Sequence, residues 1–298
     1  MVTQRSKKWT IWILFGLIIG CLILSVFQNT SHSSLNKSPF LGSKTIAVLP
    51  IYEALSISKS DPLGGGTSAD DIVHYLEALS ENDQIKALVI RINSPGGTVA
   101  ASQEIYQAIL SFKAKTKVPV IVSIGDIGAS GAFWIAMAGD TIFANAGSLV
   151  GSIGVIMSTM DLTEVPKRYG VGMNTYKSVT HKDILSSWRK ASPTEKEIIQ
   201  TMLEDIQLQF MHTVAKGRKM TLEEVKTVAD GRIFTGKQAQ KAKLIDKIGT
   251  LDDAIQFAAK QAHIEGKPDI VMPEGNSLSN LLNIWRSDSQ AEFRGVIR

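Results

Sequence analysis

From Lys44 onward, short apolar runs rich in β-branched residues alternate with segments of helical spacing, and this alternation restricts the fold more than any single motif. "KTIAVLPIYEAL" and "KALVIRI" read as strands. Between them lie a Gly-rich loop, "DPLGGGTSAD", and "DDIVHYLEALSEN", whose apolar positions recur as on an amphipathic helix. The unit then repeats. "NSPGGTVAASQEIYQAILSFKAK" is a loop and helix, "VPVIVSIG" a strand, "DIGASGAFWIAMAG" a loop and helix, and "DTIFANAGSLVGSIGVIMS" another extended stretch. Strands alternating with helices pair in parallel through right-handed crossovers, so the spacing predicts an α/β fold on a largely parallel sheet. Further on, a short β-like run, "GVGMNTYK", and the polar "SVTHKDILSSWRKA" precede a long helical stretch, "SPTEKEIIQTMLEDIQLQFMHTVAKG".

A different pattern precedes this domain. "WTIWILFGLIIGCLILSVF", Trp9 to Phe27, is uncharged, apolar and about the length a bilayer-spanning helix needs. Arg5, Lys7 and Lys8 flank it on one side and a Ser/Thr/Asn-rich stretch follows, so the positive-inside rule keeps residues 1–8 cytoplasmic and sends everything after Phe27 out of the cytoplasm. A cleaved signal peptide fits less well, because the apolar run exceeds a usual h-region. "IIGC" also resembles a lipoprotein cleavage site at Cys21, although the apolar run continues past it. Cys21 is the chain's single cysteine, so the exported domain has no internal disulfide and draws its stability from core burial. The expected layout is a cytoplasmic N-terminus at 1–8, an anchor at 9–27, a linker at 28–43, a folded domain at 44–264 and a polar tail at 265–298. Composition supports the packed domain, with 44 % apolar and 20 % charged residues. The net charge of +4 is scattered among acids with no basic tract or interleaved aromatics, which argues against a nucleic-acid partner.

In parallel α/β sheets reactive groups collect in the loops at strand C-termini. Two such loops are suggestive. Asn93-Ser94-Pro95-Gly96-Gly97 follows one strand and Gly128-Ala129-Ser130-Gly131 the next, so parallel pairing sets them side by side. Glycine lacks a Cβ that would screen its backbone N–H, and the N–H groups of Gly97 and Gly131 form a candidate oxyanion hole. Ser130 is then a candidate nucleophile; the alternative is a helix cap. The hydrolase elbow G-x-S-x-G fails at Ala132. A nucleophilic serine needs a base, but His32, His74, His181, His212 and His263 have no position that recommends them, and no paired ligands suggest a metal. Lysine serves as base when burial disfavours its ammonium form. The candidates are Lys177 and Lys182, and spacing does not choose between them.

The anchor together with "INSPGG", "GASGAFWIAMAGD", "GSLVGSIGV" and "YKSVTHKD" resembles the short form of bacterial signal peptide peptidase A, a family of serine proteases with a Ser–Lys dyad and the Clp/crotonase fold. The likeness runs in order from about Lys44 to Ala262, with Val179 departing from the glycine more common there. It implies Ser130 as nucleophile, Lys182 as general base, Lys177 as the non-catalytic lysine, and Gly97 and Gly131 as oxyanion donors. It also implies a cofactor-free endopeptidase, signal peptides and other unfolded peptides as substrates, membrane lipid around the N-terminal helix, and assembly into homo-oligomers in which neighbours can share a dyad. Two readings from other classes stand beside it: a crotonase-type acyl-CoA enzyme, which uses such loops without Ser130 or Lys182, and a non-enzymatic membrane scaffold.

Overall fold

The computed structural model describes residues 44–58 and 67–273. The expected anchor, the linker, Cys21 and the tail from residue 274 lie outside the described residues. Among the described residues no helix is long and apolar enough to cross a membrane.

The expected alternation is present. β1 (Thr45–Tyr52) is followed by the short β2 (Leu55–Ser56) and β3 (Thr67–Ser68), then by α1 (Ala69–Ser80), β4 (Ile85–Ser94), α2 (Val99–Thr116), β5 (Val120–Ala129), α3 (Gly131–Ala136), β6 (Thr141–Ala144) and β7 (Leu149–Gly151). The second half is more helical: α4 (Val165–Tyr169), α5 (Pro193–Arg218), α6 (Leu222–Lys226), β8 (Ile233–Thr235), α7 (Gly236–Lys241), β9 (Lys247–Ile248), α8 (Leu251–Gln261) and β10 (Asp269–Val271). The main sheet runs β10-β1-β4-β5-β6-β9 with every pair parallel, while β7 lies beside β5 and pairs antiparallel with β8.

The central strands are apolar throughout because both faces are covered. Leu49, Leu88, Ile90, Val122 and Ile124 pack under α1, α2 and α3, whereas Ile46, Val48, Val89 and Ile121 meet the Ala254, Ala258 and Ala259 stripe of α8. Helix starts are fixed locally. Ser68 accepts from Asp71 N–H at α1, and Thr250 and Asp253 close a reciprocal capping box at α8.

Two expectations need correction. The stretch from Asp140 to Ser158 is not one strand: β6 pairs with residues 121–124 of β5, a turn closed by Ser148 N–H to Asn145 O intervenes, and β7 pairs with 127–129 of the same strand. Past Gly151 the chain leaves the sheet at Ser152, where φ is 51°. The run "GVGMNTYK" forms no strand either; residues 171–178 are irregular and exposed. β-Propensity needs a neighbouring edge to pair with, and this stretch lies on a segment with none.

Candidate active site

Ser130 sits where β5 gives way to α3, with φ 52° and ψ −124°. A non-glycine residue at positive φ is sterically costly and persists only where its surroundings over-determine it. They do so here. Ser130 N–H donates to Gly151 O at 2.8 Å, Trp134 N–H donates to Ser130 O at 3.0 Å, and all six residues of α3 are buried. The Ser130 side chain makes no capping hydrogen bond, unlike Ser68 and Ser192 at their helices. The helix-cap alternative is therefore not realised, and the half-buried hydroxyl has no partner among the described residues.

The two Gly-containing loops meet as expected, through the pairing of Ser94 with Gly128. A Cβ on Gly96 would stand 2.9 Å from Ser130 Cβ and 2.8 Å from Gly131 N, and Gly96 itself has φ 106°, so only glycine fits beneath the serine. A Cβ on Gly97 would stand 2.1 Å from Leu55 O. Leu55 straps that loop from above, its N–H donating to Gly96 O at 2.9 Å and its carbonyl accepting from Thr98 N–H at 3.0 Å. This arrangement leaves the Gly97 N–H without a carbonyl partner among the loops, turns and caps of the described residues; Gly131 N–H, in the first turn of α3, is equally unpaired. Gly97 N lies 3.4 Å from where a Cβ on Gly131 would stand, so the two donors are neighbours beside Ser130.

Lys182 is set differently. It lies in the exposed segment between α4 and α5, and its amine makes no hydrogen bond or ion pair with the described residues, Ser130 included. The burial that a basic lysine requires is not supplied within the single chain. The segment is instead exposed and unusually apolar, with Tyr176 at 94 % accessibility and Val171, Met173 and Val179 also open; Ile156 and Met160, before α4, are exposed as well. The other candidate, Lys177, is occupied: its amine donates to Asp183 Oδ1 at 2.6 Å and to Thr180 O at 2.9 Å. Geometry thus separates two lysines that spacing could not. His74 and His181 lie near Glu77 and Glu195, and neither approaches Ser130 by any hydrogen bond.

Sequence reading missed three contributors. Gly96 was read as part of a loop, when its positive φ and contact with Ser130 make it a requirement. Ser102, fully buried, sits with its Oγ 2.2 Å from the Cβ position of Gly131 and gives no sequence signal. The third is an ionic cluster at the start of α5. The Arg189 guanidinium, and after it Lys177, hold the Asp183 carboxyl well below the usual carboxylate range. Arg189, with the Ser192 N–H, lowers Glu195 to about 2.

A Clp protease family model matches residues 46–149, and a model for peptidase family S49 matches residues 112–265. The chain is 46 % identical over 191 residues to a putative protease of Synechocystis sp., covering 64 % of this chain and 68 % of that one. It is 30 % identical over 313 residues to a putative signal peptide peptidase SppA of Enterococcus faecium, covering 96 % and 90 %. It is also 32 % identical over 212 residues to the chloroplastic serine protease SPPA of Arabidopsis thaliana, covering 71 % of this chain and 31 % of that one.

Proposed function

The chain belongs to peptidase family S49, and from that premise we propose a membrane-anchored serine endopeptidase in which Ser130 is the nucleophile and Lys182 the general base. The observation that carries the reading is Ser130 itself: a hydroxyl held on a strained turn, free of any capping bond, beside two unpaired backbone N–H groups.

The chemistry follows from those positions. Ser130 Oγ attacks the carbonyl carbon of a bound peptide while Lys182 Nζ takes its proton. The carbonyl oxygen becomes an oxyanion that accepts from the N–H groups of Gly97 and Gly131. The C–N bond then breaks, the amine leaves with the proton returned by Lys182, and water hydrolyses the acyl-enzyme by the same route in reverse. No cofactor enters.

A second copy of the chain completes the site. Lys182 is exposed here, yet an amine must lose water to be basic near neutrality. The exposed apolar side chains on its own segment, Met173, Tyr176 and Val179, are the kind of surface that a neighbouring protomer covers. The homo-oligomer reading rests on that pairing of an open base with an open apolar face.

Substrates are unfolded peptides, and remnant signal peptides in particular. The name of the Enterococcus relative and the apolar run Trp9–Phe27, read as an anchor that keeps the domain beside the membrane on its outer side, support that class. The test is a fluorophosphonate probe applied to the full chain in detergent, with peptide mass spectrometry to find the adduct. Labelling at Ser130 that disappears in Lys182→Met supports the dyad. Hydrolysis of an unfolded peptide without labelling at Ser130 overturns it.

A further inference from the structure

Lys182 is the middle one of three consecutive residues whose outer members are both tied to a single ion pair. On one side Arg189 grips Asp183, with Nε 2.9 Å from Oδ2 and Nη2 2.7 Å from Oδ1, and Nη2 also donates to the Asp183 carbonyl at 3.2 Å. With the same guanidinium it grips Glu195, Nη1 to Oε2 at 2.8 Å and Nη2 to Oε1 at 2.6 Å, while Nη1 reaches Lys190 O at 3.3 Å. On the other side His181 Nδ1 lies 3.7 Å from Glu195 Oε1.

Glu195 is an unusual seat for such a grip. It is only 3 % exposed, and it also caps α5, accepting from Ser192 N–H at 2.8 Å. α5 is anchored at its far end by buried Phe210, Met211 and Val214, with Phe210 stacked on Trp134 of α3 at 4.7 Å between ring centroids. A planar fork that engages two carboxylates at once fixes direction as well as distance, which a lysine cannot do. The surrounding segment has no strand or long helix to hold it. Turn bonds from Lys182 N–H to Val179 O at 3.4 Å and from Ile184 N–H to His181 O at 3.2 Å shape it locally, Arg189 and Glu195 tie it to α5 at 183 and 181, and the residue left between them with an unengaged side chain is Lys182.

We infer that Arg189, seated on Glu195, is the positioning residue for Lys182. It holds the backbone and carboxylate of Asp183 on one side of that lysine and seats the Glu195 that meets the His181 side chain on the other, whether the serine served belongs to the same chain or to a second copy. The inference rests on the proposed role of Lys182 as base.

The experiment compares Arg189→Lys, Arg189→Met, Lys182→Met and Arg218→Met in the full chain in detergent, following a fluorogenic unfolded peptide across neutral to alkaline pH. Misplacing a reacting group by about 1 Å costs on the order of 100-fold, so Arg189→Met is expected to lower kcat by about that factor with KM held within about two-fold. Arg189→Lys keeps every ionisable group around the loop, namely Lys177, His181, Asp183 and Glu195, and loses the fork; it is expected to lower kcat about ten-fold. Circular dichroism reads the fold of both variants; a purely structural role lowers the folded fraction, whereas the expected loss is in kcat with fold and KM retained. Arg218→Met breaks an equally close ion pair with Asp246, at the end of the sheet where β6 begins, and is expected to keep wild-type turnover.

Wild-type kcat in both Arg189 variants overturns the inference, and so does an equal loss in Arg218→Met. Full turnover in Lys182→Met overturns the base assignment itself and is read separately. Should Arg189→Met not fold, Glu195→Gln carries the same comparison, since it keeps the volume and a capping acceptor; unchanged kcat there overturns the proposal.

Discussion

Around Ser130 the neighbours are packed until almost nothing can move, with Gly96 beneath it, Ser102 under Gly131, Leu55 across the Gly97 loop and the buried turns of α3 behind. Around Lys182 there is little packing and much charge, with Asp183, Arg189, Glu195 and Lys177 linked in a row and apolar side chains left open to solvent. Both regions are specific, but by different physics. Close packing resists changes of volume and is indifferent to salt; an ion network tolerates volume changes and responds to charge, geometry and screening. The proposed nucleophile is thus set within the packed fold, and the proposed base stands at the fold's exposed margin.

The largest break in that comparison is expected at Ser130. Ser130→Ala removes the proposed nucleophile, and turnover should fall by at least about 10⁴-fold, by analogy with the removal of a nucleophilic serine elsewhere. Stability is expected to stay near wild type, because the hydroxyl caps nothing. Ser130→Gly is equally inactive but should melt higher than the alanine variant, since backbone strain of this kind stores about 1–3 kcal/mol that glycine relieves. Thermal melts of the two variants check this directly, and equal melting temperatures would show that the turn is not strained.

Lys182→Met comes next. General-base catalysis contributes roughly 10²–10⁴-fold, so that range of loss is expected with the fold intact, because an exposed side chain with no partner among the described residues has little to lose structurally. Circular dichroism beside the kinetics separates the two effects. Gly97→Ala probes the packed region instead. Its Cβ would stand 2.1 Å from Leu55 O, a backbone atom that cannot swing away, so the strap and the Gly97 N–H must shift together. Loss of one oxyanion donor is worth about 10²–10³-fold in kcat. Unchanged kcat would remove Gly97 from the oxyanion site.

How far the sequence could be read follows the same division. The strands, the parallel sheet and the meeting of the two Gly-containing loops were legible because they rest on local signals: β-branched runs, helical spacing, and glycine beside proline or serine. "NSPGG" and "GASG" marked the two loops that the structure brings together. The arm from Ile156 to Arg189 was not legible in the same way. Its "GVGMNTYK" has strand composition but no strand to pair with, and nothing in the spacing of Lys177, Asp183, Arg189 and Glu195 announces that one guanidinium joins two carboxylates. That Lys182 is exposed could not be read at all, since burial depends on what packs there rather than on the residue.

Acid sharpens the contrast by a smaller amount. Asp183 and Glu195 both have folded values below their unfolded ones, so their contribution to stability is fully present above the ordinary carboxylate range and is lost as pH falls through the depressed values, toward about 2 for Glu195. Between about pH 4 and pH 2 the apolar core keeps its burial while the arm loses the stabilisation its carboxylate pairs supply. Limited digestion with an acid-active protease in that window is expected to cut first between residues 171 and 192; first cuts within β4 or β5 would contradict it.

The smallest effect belongs to Lys177→Met. This change removes an ion pair in which the lysine side chain is 33 % exposed, and pairs of that kind contribute about 0.2–1 kcal/mol. Asp183 keeps both of its bonds to Arg189, so the loop is not released. Even if the whole 1 kcal/mol appeared as lost transition-state stabilisation, turnover would fall by no more than about five-fold. Raising the salt concentration should shrink the difference from wild type further, because a partly exposed pair is screened within a Debye length of about 10 Å at 0.1 M. Steady-state kinetics at low and high salt therefore distinguish the two lysines by kind as well as by size: a modest, salt-erasable loss for Lys177→Met, and a large, salt-independent one for Lys182→Met. The opposite pattern would move the base to Lys177 and make its ion pair with Asp183 the element that must open for catalysis.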